Sequence, residues 1–258
     1  MSGRAFRTGW VPNQHGAWAM LVTPFAIGLI LAVRAGTAGG WLLALFACWM
    51  LGYFAFHDAS LWLKAAPSRR HRYLAPLITY GLASATAGLV TLMGAGWAMA
   101  WWGLAYLPLL LPALWLASRR QERATAGGAL TVAAASLMTL VARFPDPRTL
   151  TAAEWLTPVL VTGAVFAYFF GTVLYVKTNI RERGSRGFLL ASITWHGAAT
   201  VVAATLAGVG VLPWWWAAFF AATTIRAAWV PRLGWSARKL GMVEVVFTVV
   251  LIVCFLVA

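Results

Sequence analysis

The chain has 258 residues, 62% of them hydrophobic, with 20 Lys and Arg against 6 Asp and Glu and a formal net charge of +14. So little charge on so much apolar sequence excludes an ordinary soluble domain. The cations sit in short clusters between apolar runs, with no soluble domain attached to them, which excludes a nucleic-acid-binding module.

Nine apolar runs are each long enough to cross a bilayer, which takes roughly 20 residues as a helix. In chain order they are Ala17–Val33, Gly40–His57, Leu74–Met93, Trp97–Ser118, Ala124–Ala142, Trp155–Val176, Phe188–Val209, Leu212–Val230 and Leu240–Ala258. Backbone amides in hydrocarbon must be satisfied within their own segment, so helices are expected. None of the runs has the short alternation of a barrel strand. The fold class is therefore all-α and polytopic, with nine transmembrane helices in a single integral membrane domain over 1–258. Pro24 interrupts the first run and Arg34 follows it, so a retained helix is expected rather than a cleaved signal peptide.

The cations alternate between gaps. One side holds Arg4 and Arg7; Lys64, Arg69, Arg70 and Arg72; Arg119, Arg120 and Arg123; Lys177, Arg181, Arg183 and Arg186; and Arg226, Arg232, Arg238 and Lys239. Only Arg34, Arg143 and Arg148 fall on the other side. The positive-inside rule then places the N-terminus in the cytoplasm and, after nine spans, the C-terminus outside. Most of the 16 Trp lie near span ends, as an interfacial belt requires. Cys48 and Cys254 lie in separate runs and read as small packing residues.

An internal repeat is legible. Leu61-Trp62-Leu63-Lys64 parallels Leu174-Tyr175-Val176-Lys177, and Phe56 with Phe169 and Arg70 with Arg183 match at the same offset. After a shift of two, Ile78-Thr79-Tyr80 parallels Ile193-Thr194-Trp195. Residues 17–123 and 124–239 would then be two four-helix copies, with 240–258 added as a ninth helix and 1–16 as a cytoplasmic segment. Such folds often hold their site where the repeats meet.

The two matching loops are the most polar parts of the chain. If the repeat holds, Lys64 and Lys177 are equivalent and face a common cytoplasmic cavity. With Arg70, Arg181 and Arg183 it suits an anion, because Arg forks and Lys point charges are the usual partners of phosphate oxygens. The alternative reading is that these loops only set orientation. Asp58 is expected to pair with Lys64 or Lys177, and Glu182 to balance its Arg neighbours. His57 and Asp58 are the candidates for proton transfer. His196 and Glu244 lie inside spans and are functional candidates by position; Glu244, near Lys239, is expected either to face the interface or to pair with a cytoplasmic cation. In the segment Pro12-Asn13-Gln14-His15-Gly16, the side chains of Asn13, Gln14 and His15 either fix the entry into the first helix or wall the cavity. Neither haem nor another cofactor is indicated. Mg²⁺ is not expected, since two separated acids are a poor cage for it.

The run Pro12-Asn13-Gln14-His15-Gly16-Ala17-Trp18-Ala19-Met20, with Tyr175-Val176-Lys177 and Ile180-Arg181-Glu182-Arg183, resembles the YwiC-like family of bacterial membrane proteins. That resemblance covers nearly the whole chain and implies a bacterial cytoplasmic (inner) membrane; it carries no activity with it. The topology is also similar to the UbiA superfamily of intramembrane prenyltransferases, which hold a prenyl diphosphate through Mg²⁺ on Asp-rich motifs after helices two and six. Here Trp62, Thr178 and Arg181 stand where further acids would be expected. The reading is an anionic-lipid or isoprenoid binder without the metal motifs. The alternatives are a small-anion carrier and a non-enzymatic partner of a respiratory membrane complex.

Overall fold

The computed structural model describes residues 10–12, 16–149 and 155–257. Among them there is no strand. The nine helices are α1 (Ala17–Arg34), α2 (Trp41–Lys64), α3 (His71–Ala95), α4 (Trp101–Ser118), α5 (Thr125–Arg143), α6 (Leu156–Ile180), α7 (Arg186–Gly208), α8 (Trp214–Trp229) and α9 (Ala237–Leu256). Eight are long and apolar enough to cross a membrane, α4 with the 3-10 turn before it. The exception is α8. Pro213, without an N–H and extended at ψ 148°, holds its start at Trp214, and its 16 residues span about 24 Å.

Two helices run past the expected span ends. α2 continues through His57 to Lys64, and α6 to Ile180. Nothing in Asp58-Ala59-Ser60-Leu61-Trp62-Leu63 breaks a helix, and Pro67 is the first residue that does. Asp58, Lys64 and Lys177 therefore sit on rigid helix rather than in loops.

The chain forms two compact units, Met1–Val159 and Leu160–Ala258. In the first, α1 packs on α5 and α2 on α3. Lipid is as apolar as Leu, so close approach of backbones replaces the hydrophobic drive between helices. Gly28 supplies that approach: a Cβ there would lie 2.6 Å from the Thr139 carbonyl oxygen and 2.8 Å from the Ala142 Cβ. The Thr139 hydroxyl donates to the Pro24 carbonyl across the same contact at 3.2 Å. Between α2 and α3, the Ser84 hydroxyl donates to the Cys48 carbonyl at 2.9 Å, and Gly52 and Gly88 face Ser84 and Cys48. Phe25, Leu42, Leu45, Met99, Trp102, Met138 and Phe144 fill the core of this unit. The Trp102 indole there donates to the Phe144 carbonyl at 2.7 Å.

In the second unit α7 packs on α8, joined by a 2.9 Å hydroxyl pair between Thr200 and Thr224. Trp195 donates to the Ala167 carbonyl and Trp215 to the Cys254 carbonyl. Trp216, Phe219, Phe220 and Tyr168 stack together inside it.

Gly28→Ala should lower the Tm of detergent-purified protein, with a destabilisation of about 1–3 kcal/mol. A Gly81→Ala control, where a Cβ meets nothing within 4 Å, should leave Tm unchanged or slightly raised.

Candidate functional site

The second unit holds a buried polar network between four helices. Arg226 of α8 pairs through Nη1 with Oε1 of Glu244 on α9, their side chains 3% and 14% exposed. Thr172 of α6 donates its hydroxyl to Glu244 Oε2 at 2.7 Å. The Tyr168 hydroxyl reaches the Glu244 carbonyl at 3.2 Å and pairs with Thr248 at 3.1 Å. On the other side, Arg226 Nη2 lies 3.5 Å from His196 Nε2 on α7. His196 Nδ1 is 2.7 Å from the Ser192 carbonyl, so Nδ1 carries the proton and Nε2 accepts from arginine. The guanidinium lies between the rings of Tyr175 and Phe247, 4.4 and 4.5 Å from their centroids.

This arrangement answers the cost of charge in an apolar medium. A lone ion there is expensive, and a pair is tolerated only when its remaining donors and acceptors are met. Here each Glu244 oxygen and two guanidinium nitrogens are met; Arg226 Nε has no hydrogen-bond partner among the described residues, and the rings offset that with cation–π attraction. Gly171 makes room: a Cβ at that position would stand 2.7 Å from His196 Nε2.

Arg226 was expected among the loop cations and is instead a buried partner, 4% exposed. The signal was present in its position inside an apolar run, since charges in such runs pair. Of the two readings of Glu244, facing the interface or pairing with a cation, the structure shows the pairing, with Arg226 as the cation. The network's neutral members, Tyr168 and Thr172, carried no signal in the sequence.

At the basic end of the first unit, Lys64 Nζ bonds Glu122 Oε1 at 2.9 Å, and Arg120 Nη2 approaches the Lys64 carbonyl at 3.4 Å. Partial desolvation works against the Glu122 charge. The hydrogen bond from Lys64, a backbone bond and the charges of Lys64 and Arg123 outweigh it and hold the carboxyl below its ordinary value. The expected pairing of Asp58 with Lys64 is therefore replaced by Lys64 with Glu122. Asp58 is fully buried, and neither carboxylate oxygen has a hydrogen-bond partner among the described residues. His57 beside it is half-buried. Arg70 stacks on Trp62 at 4.8 Å. Asn13, Gln14 and His15 lie outside the described residues.

At the basic end of the second unit, Lys177 Nζ lies 5.8 Å from the Phe188 ring centroid. Arg183 donates from Nε to the Asn179 carbonyl at 2.9 Å and from Nη2 to the Trp235 carbonyl at 3.1 Å. That second bond ties the α6–α7 loop to the α8–α9 loop. Arg181, Arg186, Arg232, Arg238 and Lys239 on and beside these loops are exposed.

Residues 11–143, half of the chain and the stretch holding α1 to α5, match the family described as YwiC-like protein. The chain belongs to the YwiC-like family. Uncharacterized protein YwiC of Bacillus subtilis is 29% identical over 239 residues, 92% of each chain. An uncharacterized protein of Haemophilus influenzae is 24% identical over 253 residues, 96% of this chain and 98% of its own. No solved structure matches the chain.

Two outcomes are expected. Arg226→Met alone leaves Glu244 buried without its counter-ion and should cost about 3–5 kcal/mol, whereas Arg226→Met with Glu244→Leu should recover most of it; unfolding in mild detergent reads both. For Glu122, whose folded pKa is depressed, the stabilisation from Lys64 is fully present above the ordinary value of 4.5 and is lost as pH falls through the folded value. A Lys64→Met, Glu122→Gln cycle should show coupling at neutral pH and none in strong acid.

Proposed function

We propose that this membrane protein binds the phosphate of an anionic lipid, an isoprenoid phosphate being one such lipid, at the basic end of its second unit. The observation that carries the reading is the bond from Arg183 to the Trp235 carbonyl, which joins two basic loops. Arg181, Arg186, Arg232, Arg238 and Lys239 lie on or beside those two loops with their side chains exposed. Each cation near a lipid surface contributes about 1 kcal/mol toward anionic headgroups. Arg183 itself is held by two carbonyls, so it positions the loops while its neighbours meet the anion.

By the distribution of cations along the chain we assign this end to the cytoplasmic side of a bacterial cytoplasmic membrane. The small-anion carrier is the weaker reading, because Glu244 cancels the one buried Arg of the network. An anion entering the second unit would meet no net positive charge there.

The test is retention of phosphatidylglycerol and of a polyprenyl phosphate by purified protein, followed by native mass spectrometry. Replacing Arg181, Arg186 and Lys239 together by Gln removes about 3 kcal/mol of attraction and should weaken retention about a hundredfold. The same change at Arg119, Arg120 and Arg123 should have a much smaller effect. Retention should also fall as salt rises. Equal retention by the two triple variants would show diffuse attraction to charge and sink the proposal.

A further inference from the structure

The first unit contains a buried acid that no hydrogen-bond donor meets among the described residues. Asp58 is 0% exposed, and both of its carboxylate oxygens lack a hydrogen-bond partner among the described residues. A carboxylate in that position is unfavourable unless a cation or a set of donors meets it. The cations nearest in sequence are directed elsewhere, Lys64 to Glu122 and Arg70 to Trp62.

The surroundings say what kind of cation fits. Phe54 lies one turn before Asp58 on the same face of α2, and helical side chains lean toward the N-terminus, so the carboxylate leans toward that ring. Phe54 meets Tyr80 of α3 edge-on at 5.0 Å and Trp18 of α1 edge-on at 5.8 Å. Tyr80 in turn meets Trp10 at 5.9 Å and 70°, and its hydroxyl donates to the Trp10 carbonyl at 2.7 Å. Asp58 lies within electrostatic reach of that same tyrosine. Trp10 and Trp18 are 39% and 37% exposed, so these two rings are the open part of the cluster, whereas Asp58 is buried.

Four rings at steep angles to one another, with a buried acid within electrostatic reach of one of them, are the elements of a site for an organic ammonium group. A metal ion is poorly served, because among the described residues no three His, Cys, Asp or Glu come together, and hard cations take six or more oxygens. We propose that Asp58, with Phe54, Tyr80, Trp10 and Trp18, forms a binding site for an organic ammonium group. Its charge is met by the carboxylate and its alkyl surface by the rings. Both a lipid headgroup and a free amine carry that group.

The test uses the purified full chain in neutral detergent, titrated separately with short-chain phosphatidylethanolamine, short-chain phosphatidylglycerol and free ethanolamine. Binding is read by native mass spectrometry and tryptophan fluorescence. Phosphatidylethanolamine should bind, and Asp58→Asn should weaken it at least about tenfold while leaving phosphatidylglycerol unchanged. Phe54→Leu, which keeps the carboxylate, should weaken it severalfold and serves if the Asn variant does not fold. Binding of the phospholipid without free ethanolamine identifies a lipid headgroup; binding of both identifies the ammonium group alone. Phosphatidylethanolamine affinity within twofold of wild type in both variants, or no binding by the wild type, would overturn the site.

Discussion

A bilayer core offers no water to satisfy a polar group, and this chain is organised around that constraint. Among the described residues, backbone amides close on themselves within nine helices. Tryptophan indoles then donate to carbonyls of other segments. Trp49 donates to Leu21, Trp102 to Phe144, Trp195 to Ala167 and Trp215 to Cys254. Of these, Trp215 was legible in the sequence as part of an interfacial belt. The structure makes all four hydrogen-bonded struts between segments.

The same constraint separates two kinds of charge. Exposed cations at the helix ends need no partner, since water and headgroups solvate them, and they carry the orientation and the proposed lipid contact. Charges below the surface need partners. Arg226 and Glu244 meet theirs in a network that reaches His196, Thr172 and Tyr168. Asp58 has no hydrogen-bond partner among the described residues, and that contrast is the basis for proposing a ligand there. A protein that must bury an acid and leaves it unanswered has either a proton or a guest there, and the four neighbouring rings favour a guest.

The membrane class, the number of helices and most of their limits were legible in the sequence, because an apolar run of bilayer length has few alternatives. Family membership was legible in the segment from Pro12 to Met20, which falls almost wholly within the matched region. The misreadings came from treating charge as a mark of loops. Asp58 and Lys64 follow a long apolar run, yet the helix carries through them until Pro67. Arg226 was grouped with Arg232 and Arg238 by proximity along the chain, although three turns of helix precede it and its side chain is enclosed.

By itself the sequence determined what each segment must be, since hydropathy, helix length and charge placement are properties of neighbours in the chain. It also marked His196 and Glu244 as polar groups that require an explanation. Only the tertiary structure decided which groups answer one another: Lys64 with Glu122 rather than Asp58, and Glu244 with Arg226 of a different helix. The reason is physical. In a medium that solvates no ion, a partner is chosen by helix rotation and depth among residues far apart in the chain, and neither quantity is written in any local pattern.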